Sequence, residues 1–313
     1  TLDSDYDGAI DRLYAGDTGG NVWRVNMPKA NPKDTNDPWA IYKFASLGSN
    51  ANATDLRFFN EPSIARAYMK ATVVDNTIPT SPVYSHFERP FDAVLIGSGD
   101  RANPLNTDTV NKVFVLRDEY IISKKYSPQP SEITLTDLED FTTNPYNGLT
   151  KSQKNAKDAV LSSQKGWYVN LDTTGEKSYS SPIVVAGVAY FSTVIPGAAG
   201  IGFSCSLSPL KSHLYALDLH RGTNIYTWRK RVLGDKLIDT QSVAIAPIGS
   251  SYEGDLIFVL PGDNGDGVMP ICSAEQDCDF TPPPVCNVGD ICDAPPTVSP
   301  KTMRTNLYIE ESH

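Results

Sequence analysis

The sequence predicts an all-β fold: a modified β-propeller of which this chain carries a partial set of blades, with a small helical insertion. Three observations predict it. Glycine (22) and proline (23) are frequent and accompany 15 tyrosines, which suits short strands joined by tight turns. Short apolar runs such as "RLYAG", "NVWRVN" and "KVFVLRD" are bounded by Gly, Asp or Asn, the punctuation of strands. A hydrophobic strand, a Gly-rich turn and a second strand ending near Asp recur loosely. The copies are "LYAGDTGGNVWRVN", "VLIGSGDR" with "KVFVLRD", "VAYFSTV" with "HLYALDLHRG", and a degenerate "DLIFVLPGDNGDG" with "NLYIEES". About three and a half such units are visible, against about 4–8 blades in a closed ring. An open β-sandwich of hairpins is the alternative.

The first element is a loop, Asp3-Ser4-Asp5-Tyr6-Asp7-Gly8-Ala9-Ile10-Asp11, which reads D-x-D-x-D-G-x-x-D. With Asp3 as position 1, carboxylates fall at 1, 3, 5 and 9, a glycine at 6, and the Ala9 carbonyl at 7. Four carboxylates in nine residues repel one another unless a cation neutralises them. Oxygen-only ligands in this number select Ca2+ over Mg2+, which keeps its waters. The expected ligands are the side chains of Asp3, Asp5, Asp7 and Asp11 and the Ala9 carbonyl. Position 12 is Tyr14, so the bidentate Glu of an EF-hand is missing and a strand follows in place of a helix. Water or a distant group must complete the shell. A plain acidic turn is the bland alternative.

Arg12–Gly16 and Asn21–Asn26 flank the turn Asp17-Thr18-Gly19-Gly20 and predict a hairpin, so residues 1–27 form one unit of loop and hairpin. Trp39–Phe44, Glu61–Tyr68, Asp92–Gly97 and Lys112–Asp118 are the next strands. Residues 121–166 break the rhythm as an inserted segment, with Asp137–Phe141 and Lys151–Gln164 expected to be helical. Strands resume at Gly166–Leu171, at Ser181–Val194 with a turn at Gly187, and at His213–Leu219. Gln241–Ile248 and Asp255–Leu260 pair next, and residues 301–313 hold the final strand. Trp23, Trp39, Trp167 and Trp228 are expected to pack between sheets.

Residues 261–300 form a Cys/Pro-rich loop. Cys272, Cys278, Cys286 and Cys292 are separated by five, seven and five residues, which fits a disulfide staple better than a zinc site. Pairing stays open, and Cys205 is left over. An oxidising compartment is implied. The chain has no initiating Met and opens almost inside the loop, so a processed product or fragment with its targeting signal upstream is expected.

Composition excludes whole classes. With 27 basic and 37 acidic residues the net charge is −10, the wrong sign for nucleic acid. No apolar run approaches the ~20 residues of a membrane span. Four scattered histidines, His86, His213, His220 and His313, and the lack of H-E-x-x-H, G-x-S-x-G or a P-loop argue against an enzyme. "GDTGG" and "IGSGD" open no helix and read as turns, as does Asp263-Asn264-Gly265-Asp266-Gly267.

"DSDYDGAIDRLYAGDTGGNVWRVN" resembles the calcium-loop-plus-blade signature of the PilY family of type IV pilus assembly and tip proteins, in their C-terminal β-propeller. "VLIGSGDRANPL", "NKVFVLRDEY", "KGWYVNL" and "GEKSYSSPIVVAGVAYFSTVIPG" extend the resemblance over nearly the whole chain. It implies that residues 1–313 are a portion of one C-terminal propeller domain without catalysis, binding Ca2+ through Asp3, Asp5, Asp7, Ala9 and Asp11. The implied setting is the pilus tip at the cell surface, reached through periplasm and outer membrane. The implied roles are extension against retraction, adhesion and twitching motility. Implied partners are pilin or minor pilins, the N-terminal remainder of the same parent protein, and a host or surface receptor. A secreted, calcium-stabilised lectin-like scaffold is the second reading. A quinone-dependent dehydrogenase is a third, but the adjacent Cys-Cys pair of that family is missing.

Overall fold

A computed structural model of the chain describes residues 1–234 apart from 6, 50, 76–82, 186 and 198–209. Beyond them it describes the backbone of residues 242–247, 254–259 and 268–270. All five cysteines, the turn at 263–267 and the strand expected in 301–313 lie outside the described residues.

Among the described residues the strands gather into four sheets that follow one another along the chain. The first holds β1 (Arg12–Gly16), β2 (Asn21–Asn26) and β3 (Ala40–Ser46) side by side. The second holds β4 (Ser63–Asp75), β5 (Val83–Gly97), β6 (Lys112–Asp118), β7 (Glu139–Asp140) and β8 (Gly166–Asn170), in the spatial order β4-β5-β6-β8-β7. Among the described residues a single α-helix, α1 (Lys151–Ser163), precedes β8. The third sheet runs β10 (Ile183–Val185), β11 (Val188–Ile195), β12 (Lys211–Asp218), β13 (Lys230–Gly234), with β9 (Lys177–Ser178) also on β11. β14 (Ser242–Pro247), β15 (Gly254–Val259) and β16 (Val268–Pro270) form the fourth. Among the described strands all pairings are antiparallel except β7 with β8, and a lone bridge from Ala45 to Ile133 is also parallel. The chain is all-β with a small helical insertion.

The second sheet is the packing centre, and strand periodicity explains why. Phe91, Ala93 and Leu95 of β5, with Val113 and Val115 of β6, meet Ala189, Phe191, Tyr215 and Leu217 of the third sheet. Their neighbours Val94, Ile96, Phe114 and Leu116 meet Tyr14, Val22, Tyr42 and Phe44 of the first. Alternate residues thus point to opposite faces, and both faces are apolar. A strand buried on both faces reads as an unbroken apolar run, which is what "VLIG" and "VFVL" are. Trp167, wholly buried, lies against Phe141 and Phe191 on the third-sheet side. Truncating such an aromatic costs about 3–5 kcal/mol.

Two expectations are corrected. Asp137–Phe141 is not helical: Leu135–Asp137 forms one 3₁₀ turn capped by Thr134, and Glu139–Asp140 is β7. Leu138 packs toward the first sheet and Phe141 toward the third. A helix would place residues three apart on one face, whereas an extended chain sends them to opposite faces. Of the four tryptophans, Trp167 alone belongs to either core cluster. Trp39 is 41% exposed. Trp23 occupies the alternate register of β2, half-buried between the buried Val22 and Arg24. Trp228 stacks on Tyr226 with ring centroids 4.7 Å apart.

The helix expected over Lys151–Gln164 is α1, begun by a reciprocal cap. The Gln153 amide N–H donates to the Thr150 hydroxyl, and the Thr150 N–H donates to the Gln153 side chain. The helix covers the outer edge of β4, whose Thr72 N–H donates to Ser162 Oγ at 2.8 Å. Strand lengths also differ from expectation: β4 and β5 continue as a two-stranded ribbon to Asp75 and from Val83.

Candidate metal centre

The acidic loop is closed at its base by backbone. Leu2 bridges Arg12, with Leu2 N–H donating to the Arg12 carbonyl at 2.8 Å and Arg12 N–H returning to Leu2 at 3.0 Å. Between these points the chain must reverse within nine residues. Gly8 allows it, with a φ of +88° that a side chain would resist.

Inside the loop the carboxylates accept amide hydrogens of the turn itself. Gly8 N–H donates to Asp3 at 2.9 Å, Asp7 N–H to Asp5 at 3.3 Å, and Ala9 N–H to Asp7 at 2.7 Å. Ser4 donates twice to one oxygen of Asp11, from its N–H at 2.6 Å and its hydroxyl at 2.5 Å. The result is a convergence of three side chains. One carboxylate oxygen each from Asp3, Asp5 and Asp11 lie within 4.8 Å of one another, Asp11 being the deepest and Asp5 exposed.

Of the four expected carboxylates, the structure brings three together. Asp7 stands outside that group, its carboxylate engaged with the Ala9 amide, and Ala9 is exposed. The donor set is chemically consistent with a hard divalent cation. With Ca2+–oxygen distances of about 2.3–2.6 Å, two ligand oxygens of one ion lie at most about 4.6–5.2 Å apart, and oxygens within 4.8 Å of one another are close enough to share one ion.

The loop is also fastened to the sheets by groups that the sequence did not point to. The Asp11 carbonyl accepts from Met27 N–H at 2.7 Å and from the Ser123 hydroxyl at 3.2 Å. The Ser4 carbonyl accepts from the Arg66 guanidinium at 2.7 Å. Arg66 stands on β4 and also donates to Asp92 on β5, at 3.0 Å. The other oxygen of Asp92 takes Arg12, the residue that follows Asp11, at 2.5 Å. Asp92 is wholly buried and gathers both ends of the loop through two arginines. The Ser4–Asp11 pairing has a local signal, a hydroxyl seven residues before a carboxylate. Arg66 has none, because its place beside the loop exists only once β4 is built.

The turn Asp17–Gly20 takes no part in this site. The Asp17 carboxylate accepts from Gly19 N–H at 2.8 Å, Asn21 N–H at 3.0 Å and Trp23 Nε1–H at 2.8 Å. Burial works against its charge, but the bonds from Trp23, Asn21 and Gly19 win and hold its carboxyl below the ordinary range. "GDTGG" is a hairpin turn, as its sequence predicts. Asp218 likewise holds the turn that follows β12, accepting from His220 N–H at 2.9 Å.

Compared with known proteins, the chain is similar to the Type IV pilus biogenesis factor PilY1 homolog of Xylella fastidiosa. The two are 25% identical over 236 residues, which is 71% of this chain and 14% of that protein. The match supports a PilY1-like affiliation, and the chain spans only a small part of the relative's length. No protein-family model matches the chain. No solved structure matches it.

Proposed function

We propose that this chain is a non-enzymatic, calcium-binding part of the type IV pilus machinery, acting at the tip in pilus biogenesis, adhesion and surface motility. The observation that carries the reading is the similarity to a PilY1 homolog across 71% of the chain. Two features support it. The four sheets succeed one another along the chain, the second enclosed between the first and third, which is how blades of a propeller stack. The acidic loop offers three converging carboxylates to a cation. Among the described residues no helix is long and apolar enough to cross a membrane. Pilin or minor pilins, the rest of the parent protein and a surface receptor are the partners this reading assigns, outside the cell at the pilus tip.

Bound Ca2+ would supply the positive charge that lets Asp3, Asp5 and Asp11 share one small volume. The chain does the rest. Ser4 holds Asp11 by two hydrogen bonds, and the backbone of Asp11 leads straight into Arg12 and β1. Ordering of the loop therefore stiffens the outer strand of the first sheet. A pilus subunit that docks against this strand then senses whether the loop is ordered.

The test is a shear experiment. Cells are grown with calcium or with a chelator, surface appendages are sheared off, and the pilus fraction is probed for this chain. The proposal expects co-purification that falls when calcium is removed. Presence in pili regardless of calcium would limit the ion to a structural role. Absence under both conditions would overturn the pilus reading in favour of a secreted calcium-stabilised scaffold.

A further inference from the structure

We infer that Arg66 is a positioning residue of the loop's cation site, acting through Ser4 on Asp11. The inference rests on the calcium reading and adds to it a residue that touches no ion.

The chain of contacts is short. The Arg66 guanidinium donates to the Ser4 carbonyl at 2.7 Å. Ser4 in turn donates from both its amide and its hydroxyl to Asp11, at 2.6 and 2.5 Å. Asp11 is one of the three converging carboxylates. Arg66 is itself fixed, because its Nε donates to Asp92 at 3.0 Å and its side chain is only 17% exposed. Asp92 is wholly buried and shared with Arg12, on the strand that leaves the loop. One guanidinium thus reads both the start of the loop, at Ser4, and its exit, through Asp92 and Arg12.

Two physical effects follow, and they oppose each other. A positive charge near an acidic loop repels an incoming cation. The same group removes the conformational freedom of Ser4, and with it much of the entropic cost of holding Asp11 in place. Geometry decides for the second. The guanidinium faces the Ser4 carbonyl and Asp92, and its charge is largely answered by the buried carboxylate only 3.0 Å away. What reaches the site is orientation more than charge. Arginine suits the task because one planar group reaches two acceptors in fixed directions; a lysine is a single point charge.

The test measures Ca2+ affinity by calorimetry on the 313-residue chain and on Arg66→Gln, Arg66→Lys and Ser4→Ala, with the calcium-free melting temperature of each. Tb3+ luminescence lifetime serves as a second readout, since it reports how many waters the bound ion keeps. The inference expects Arg66→Gln to bind about tenfold more weakly with an extra water on Tb3+, and Arg66→Lys to recover part of the loss. Ser4→Ala is expected to weaken binding about threefold to tenfold without lowering the calcium-free melting temperature, because it leaves the buried arginines alone. A merely structural Arg66 would lower that temperature and leave affinity and hydration unchanged, which would overturn the inference. If Arg66→Gln does not fold, wild-type affinity in Ser4→Ala overturns it alone. A wild-type chain that binds neither Ca2+ nor Tb3+ would overturn the calcium reading itself, and the inference with it.

Discussion

The guanidinium of the buried Arg117 lies 3.1 Å from Nδ1 of the half-buried His220, so two groups able to carry positive charge face each other. Arg117 has other work: it donates to the Leu161 and Gln164 carbonyls at 2.7 and 3.3 Å, where α1 ends. The last turn of α1 carries no basic residue of its own, and β6 supplies the missing cation from across the core. Because arginine donates, Nδ1 of His220 must accept, which fixes the neutral ring with its proton on Nε2.

Acid should therefore weaken the fold through His220. Burial, then the charges of Arg117 and Arg221, push its pKa from 6.5 down to about 3. Between those values the unfolded chain binds a proton that the folded chain refuses, so stability falls as pH is lowered through this window. His220→Gln keeps an acceptor for Arg117 and removes the titration. Its melting temperature should drop less than that of wild type between pH 7 and pH 5. An equal drop in both proteins would remove His220 from the account. The lowered pKa of His213, which is buried on β12, pulls in the same direction and remains in the variant.

A second prediction concerns Asp92 and Asp118, which stand directly opposite each other on β5 and β6. Like charges so placed repel, yet both are buried, each paired with an arginine of the first sheet: Asp92 with Arg12, Asp118 with Arg24. Arg24→Met would strand Asp118 without its cation and should cost about 3–5 kcal/mol in urea denaturation. Adding Asp118→Leu should restore most of that loss, since two apolar groups of similar volume need no pairing. A double variant as unstable as the single one would show that Asp118 serves chiefly through Tyr14, whose hydroxyl donates to it at 2.5 Å.

The loop carboxylates should not be equivalent. Asp3→Ala, Asp5→Ala and Asp11→Ala each remove a converging oxygen donor and should weaken Ca2+ binding more than tenfold. Asp7→Ala removes an acceptor for the Ala9 amide and should weaken it less. Calorimetric titration of the four variants gives the ranking. Asp7→Ala as damaging as Asp11→Ala would mean that ion binding rearranges the turn to recruit Asp7.

The hairpin turn supplies a fourth test. Asp17→Ala leaves the Gly19, Asn21 and Trp23 donors without their shared acceptor and should destabilise the protein by about 1–3 kcal/mol. Trp23 fluorescence should shift in the native state, because the indole N–H loses its partner. An unchanged spectrum and melting curve would argue that water replaces the carboxylate at no cost.

What could be read from sequence were the features whose causes are local. The D-x-D-x-D-G spacing, the Asp17–Gly20 turn, the Gly187 turn with φ of +78°, and the capped helix α1 all depend on neighbours within a few residues. β6 was legible to the residue because its unbroken apolar run ends in charge at both sides. What escaped was set by distant contacts. β13 carries the polar run Lys230-Arg231 and is a strand because β12 offers it an edge. Asp137–Phe141 had helix-like spacing, but its two apolar residues were claimed by opposite cores. Arg66, Asp92 and Arg12 come from three strands, and nothing local marks them as companions of Ser4.

The double-sided second sheet has a practical consequence for dissecting this protein. Cutting away residues 1–59 would lay Val94, Ile96, Phe114 and Leu116 bare as one greasy wall, and would strip Asp92 and Asp118 of Arg12 and Arg24. Soluble pieces are therefore to be sought by trimming from the far end, and a shortened chain that clumps when it lacks the first sheet reveals a torn interface, with no bearing on whether the loop binds an ion.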